Sequence, residues 1–192
     1  MEKVEFSRQV AFYASQGQGF NIIEEPEIRK MADYWSRRRG ERSLPRRTDI
    51  DPIDIPWALS RIFLVDYEPD ERTFRYRIAG DAIEQMFRPY TNGASIKGKT
   101  LHQILPRDVS RLVHERWLPM ITDRSVLYMR GPVYQAENRK ALGARIVLPL
   151  GDGSDDVIVG ALGLTVCKWE FDSDPSSQME LSIYKIPIDE AP

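Results

Sequence analysis

Cysteine is almost missing from this chain: Cys167 is the only one in 192 residues. That excludes an internal disulfide and suits a reducing cytosol, so we expect a cytoplasmic protein. Histidine is nearly as scarce, and His102 and His114 with one cysteine make no zinc pattern. No stretch approaches the ~18 apolar residues of a membrane span, and no basic, apolar and small-residue leader opens the chain, so no membrane partner is expected. Charge of one sign is lacking too. A formal net charge of −2 and a pI near 5.8 give no global reason to expect nucleic acid. The chain has no Gly-x-Gly-x-x-Gly after a strand, no P-loop and no Gly-x-Ser-x-Gly elbow. Internal repeats and low-complexity tracts are absent as well.

What is there suits one compact domain with flanking segments, since 42% of the residues are hydrophobic. Residues 1–25 have weak periodicity, broken by Gly17 and Gly19, and read as a loosely held arm. Pro26 and Glu27 open a helix whose Ile28, Met31, Ala32 and Trp35 form an i, i+3, i+4, i+7 stripe. Arg37, Arg38 and Arg39 load its last turn, and Gly40 stops it. A proline-punctuated connector runs to Pro56. Residues 61–67 and 73–79 alternate as strands around EPDER and read as a hairpin. A helical start follows at 80, then breakers at Gly93 and Gly98. Pro106 opens a second long helix with Val109, Leu112, Val113, Trp117 and Met120 on one stripe, which Pro119 is expected to kink or end. Residues 125–135, 140–150 and 156–167 are three more strands, the last two joined by the turn GDGSD.

Two strands, helices and three linked strands predict an α+β fold: a five-stranded antiparallel sheet with helices on one face and an N-terminal flanking helix. The expected division is 1–46 arm and helix, 47–169 domain and 170–192 tail. Leu142, Ala144, Ile146 and Leu148 alternate with Gly143, Arg145 and Val147, so both faces of the sheet need cover. The flanking helix or a second subunit would supply the second cover, and a homodimer is expected on that ground.

The runs DIDPIDIPWALSRIFLVDYE, FRYRIAGDAI and LPLGDGSDDVIVGALGL carry three motifs in order. They are Asp49, Asp51 and Pro52, then Tyr76, Arg77 and Gly80, then Leu148, Pro149 and Leu150. With this topology the chain resembles a PAS domain, in particular a bacterial group of small stand-alone PAS-type proteins, over roughly 47–168. The resemblance implies a small-molecule or cofactor pocket between sheet and helices, or a protein-interaction surface, and no catalysis. It assigns no ligand, and the cofactor stays unknown.

Gly80-Asp81 reads as a corner: glycine for the turn, Asp81 as a helix cap with Glu84 completing a capping box. Some PAS domains hold haem through a histidine on the long helix. His114 is on that helix at the flank of the stripe, a place for a half-buried structural histidine, and His102 reads as exposed. The Asn-Cys-Arg-Phe-Leu-Gln run of light-sensing flavin PAS domains is missing, its place taken by FRPYTNGASIKG. The basic cluster RRRGERSLPRR at 37–47 reads as a solvated helix end. The expected lining is Tyr76, Ile78, Met86, Phe87, Val113, Trp117 and Met129, converging between sheet and helices as a pocket or as an ordinary core.

The function expected is a sensory or regulatory module for a small molecule or a signalling protein. Only about two dozen residues follow the domain, so output is expected to pass through a partner or self-association. A pocket enzyme of isomerase or hydratase type is the alternative, and it needs a buried acid–base pair. Asp66 and Asp81 are its only acid candidates near the seam. A ligand-free adaptor is the third reading.

Overall fold

Every expected strand forms. The computed structural model describes residues 6–136, 139–154, 157–171 and 179–192. Residues 1–5 of the expected arm, Asp155 and Asp156 at the GDGSD turn and residues 172–178 of the expected tail lie outside them. The elements are β1 (Val10–Ala14), α1 (Pro26–Arg39), β2 (Ile62–Glu68), β3 (Thr73–Ala79), α2 (Asp81–Thr91), α3 (Leu101–Ile104), α4 (Arg107–Thr122), β4 (Ser125–Ala136), β5 (Arg139–Gly151), β6 (Ile158–Phe171) and β7 (Leu181–Pro187).

The sheet is larger than the five antiparallel strands expected. It has seven strands in the order β1-β7-β4-β5-β6-β2-β3, and β1 runs parallel to β7, so it is mixed. The reason lies at the β4 edge. The C-terminal segment buries Leu181, Ile183 and Ile186 and pairs antiparallel with β4, and the N-terminal segment then pairs on β7. Short strands with little alternation, such as VAFYA, carry no period-2 signal.

Register divides the two faces of the sheet. Met129 pairs with Arg145, and Arg145 with Thr165, so these three point to one side. Phe63 of β2 is on that side, because Arg145 lies over its ring and Trp117 of α4 stacks on it at 5.1 Å, nearly parallel. Gly163 makes room for this stack, since a Cβ there would run into the Phe63 ring. Helices α2, α3 and α4 cover this face.

On the other face Tyr128 donates to the carboxylate of Glu25, just ahead of α1, at 2.5 Å. There α1 lies across β5 and β6 with Ile28, Met31, Ala32 and Trp35 fully buried. The Trp35 Nε1–H donates to the Pro149 carbonyl at 2.8 Å. The helix therefore covers the β5–β6 part of this face within one chain.

Two local expectations change. Helix α4 does not end at Pro119 but runs on to Thr122, because only the N–H to Glu115 is lost while the Pro119 carbonyl still accepts from Asp123 N–H at 3.0 Å. Asp81 is not the cap of α2: Gly80 holds that position without a side-chain bond. Glu84 instead accepts from Ser95 Oγ at 2.6 Å and Ile96 N–H at 3.1 Å, pinning the loop toward α3.

Candidate functional site

Five of the seven expected lining residues meet under α2 and α4. Tyr76, Phe87, Val113, Trp117 and Met129 are all buried, with Tyr76 5.8 Å from Phe87 and 6.0 Å from Phe63 by ring centres. Met86 is half-buried at the edge of the cluster. Ile78 does not join them and is 41% exposed. A β-bulge explains it: Leu64 pairs with Ile78 and Val65 with Tyr76, so Arg77 is an extra residue. Two residues that should share a face are thereby turned to opposite ones.

The surprise is polar. Arg145 stands mid-strand in β5, only 6% exposed, and its Nε donates to Thr165 Oγ1 at 2.9 Å. Its guanidinium lies 4.9 Å from the centre of the Tyr134 ring and 5.9 Å from that of Phe63, two cation–π contacts. Arg116 of α4 is 4% exposed, donates through Nη2 to the Ser7 carbonyl, and leaves its Nε–H without a partner. Burial pushes the Arg116 guanidinium down to about 10, and the charge of Arg145 adds to that fall. The two cations are thus close enough to feel each other. Tyr76 and Tyr134 complete the cluster. Burial raises both phenols, and Arg145 opposes the rise in each.

An outer cleft of about 400 Å³ lies next to this cluster, between the N-terminal segment, α2 and α4. Tyr90, Val109, Leu112 and Phe6 are among its walls. Phe6 also packs edge-on to Tyr134 at 5.8 Å and against Phe87 at 6.5 Å.

A family model described as a PAS domain matches residues 23–164, well over half of the chain. The chain belongs to the PAS domain family. Membership points to a sensory or interaction module, a class that is typically non-catalytic. No curated protein and no solved structure is significantly similar to this chain. The match begins at residue 23, so the matched range includes α1.

The motifs behind the resemblance are structural in this PAS domain, apart from Tyr76. Asp49 receives Arg46 N–H and the Arg42 guanidinium, each at 2.7 Å, and Asp51 caps a 3-10 turn through Ile53 N–H at 2.9 Å. Arg77 pairs with Asp66 at 2.5 Å. Gly80 is needed for space rather than for an unusual φ, because a Cβ would strike the backbone of Leu59 and Ser60. Pro149 supplies the carbonyl for Trp35.

Members of the basic cluster at 37–47 are drawn into the fold. Arg39 donates to the carbonyls of Ile188 and Ala191, Arg38 pairs with Asp54, and Arg47 with Asp66 at 3.4 Å. Among the described residues no group of three or more histidine, cysteine or acidic side chains could hold a metal ion, and no helix is long and apolar enough to cross a membrane.

His102 is exposed and meets Ser110 Oγ through Nδ1 at 3.1 Å. His114 lies half-buried, 5.8 Å from the Phe74 ring, with Nε2 buried and unpartnered. Burial lowers its pKa below the usual 6.5, helped by His102 and Arg72 against Glu115. A histidine with a depressed folded pKa takes its proton more readily when unfolded. Its support for the fold is therefore complete above the unfolded value and is lost as the pH falls below it. The melting temperature should drop as the pH falls below about 6.5, and His114→Gln should flatten that drop. Parallel wild-type and variant curves would remove His114 from the account.

Proposed function

We propose that this PAS domain is a sensory or regulatory module that takes a small molecule between its sheet and α2–α4, in signalling and without catalysis. The observation that supports it is the pair of buried guanidiniums in the seam. A core built only to be filled would be apolar, because a buried charge without an opposite one is costly. The enzyme alternative has less behind it. Asp66 is spent on Arg77 and Arg47, and Asp81 is exposed, so neither expected acid reaches the seam. Output would pass to a signalling protein or to a second copy of the chain, and light scattering at micromolar concentration tests the latter.

Native mass spectrometry of the purified chain tests the reading itself. A mass above that of the polypeptide, lost on denaturation, is the expected result. A bare polypeptide mass, with no stabilisation by any member of a metabolite panel, would favour the ligand-free adaptor.

A further inference from the structure

The seam holds two positive charges and, among the described residues, no carboxylate pairs with either arginine. Arg145 is served by Thr165 and by two aromatic rings. Arg116 is not. Its Nε–H has no partner, and its Nη2 meets a neutral backbone carbonyl, that of Ser7. A guanidinium is a planar fork that matches a carboxylate with two parallel charge-assisted bonds, and a lone peptide carbonyl uses only part of it.

The chain's own N-terminal segment stands in front of Arg116. Phe6 is the wall between the outer cleft and the polar cluster, since it lines the cleft and touches Tyr134 and Phe87 behind it. Ser7 is held by its hydroxyl, which is 3.1 Å from the carbonyls of both Gln9 and Met179. After Arg8 and Gln9 comes β1, hydrogen-bonded to β7 at the sheet edge.

Building on the ligand-binding reading above, we propose that Phe6–Ser7 is a built-in occupant of a carboxylate site. The ligand is a small organic acid with an aromatic ring or short apolar chain. Its carboxylate takes the place of the Ser7 carbonyl on Arg116, and its apolar end takes the place of the Phe6 ring between Tyr134 and Phe87. The exchange swaps a neutral acceptor for a charged one and releases the segment that leads into β1. Binding inside the seam is thereby read out at the β1–β7 edge.

Calorimetry on the full chain tests this with benzoate, phenylacetate and 3-phenylpropionate as probes, and with phenylacetamide as the neutral counterpart. At least one acid should bind. Phe6→Ala should bind it about tenfold more tightly, because the competing occupant is gone. The amide should bind at least about tenfold more weakly than its acid, having lost the charge-assisted pair. Arg116→Met should keep a cooperative melt and lose acid binding. Equal affinity for acid and amide, no tightening in Phe6→Ala, or no binding of any acid to Phe6→Ala would each overturn the proposal. A retained molecule without an acid group, found by native mass spectrometry, would overturn it while leaving the ligand-binding reading standing. No retained molecule and no probe binding would overturn both.

Discussion

Trp35→Asp should leave the protein without a cooperative melt at room temperature. The indole is fully buried between α1 and the β5–β6 face, and its N–H meets the Pro149 carbonyl at 2.8 Å. Removing a buried tryptophan costs about 3–5 kcal/mol in lost burial and cavity. The aspartate adds an unpaired charge in the same place, or forces its own protonation, at a further cost of several kcal/mol. Domains of this size have roughly 5–15 kcal/mol in total. Circular dichroism against temperature checks the result, with Trp35→Phe as the control. The control keeps a ring and loses one hydrogen bond, for about 1–3 kcal/mol. A Trp35→Asp variant that melts like the wild type would mean that α1 does not cover the sheet in solution.

That helix was legible because a regular period and a buried surface agreed. The stripe Ile28, Met31, Ala32 and Trp35 is a 3.6-residue pattern, and the structure buries each member. The five long strands were legible for the same reason. Where the reading failed, a local event broke a period. One extra residue at Arg77 turned Ile78 away from Tyr76, and no feature of FRYRIAG announces a bulge. β1 escaped because pairing, rather than alternation, makes it a strand, and β7 because its alternation of buried Leu181 and Ile183 with Ser182 and Tyr184 lasts only four residues before Ile186 breaks it.

The buried arginines were missed differently. Arg145 sits in KALGARIVLPL, where its neighbours on both faces are apolar, so the strand pattern already placed a charge indoors. Arg116 stands three residues after Val113 and four before Met120, inside the buried arc of α4. Both positions could have been found by asking where each charge goes.

Arg116→Met should raise the melting temperature while it removes the binding proposed above. Methionine keeps most of the arginine stem and fills the same space without a charge. The guanidinium is held down near 10 by burial first and by Arg145 second, so its charged form is less stable inside the fold than outside. From an ordinary value of 12.5, that depression corresponds to a cost on the order of 3 kcal/mol at every pH below the folded value. Against it stands one bond to the Ser7 carbonyl, worth about 1.5–3 kcal/mol when the donor is charged. The Nε–H contributes nothing, because it has no partner. Replacing a buried, poorly compensated charge by an apolar residue of similar volume is commonly neutral or stabilising by about 1–4 kcal/mol. Differential scanning calorimetry of both proteins without added ligand reads the difference directly. A fall in melting temperature would make the Arg116–Ser7 bond a structural tie that holds the N-terminal segment. A rise joined to lost acid binding would mean that this PAS domain keeps a charge in its core at a cost to its own stability, for something that comes from outside.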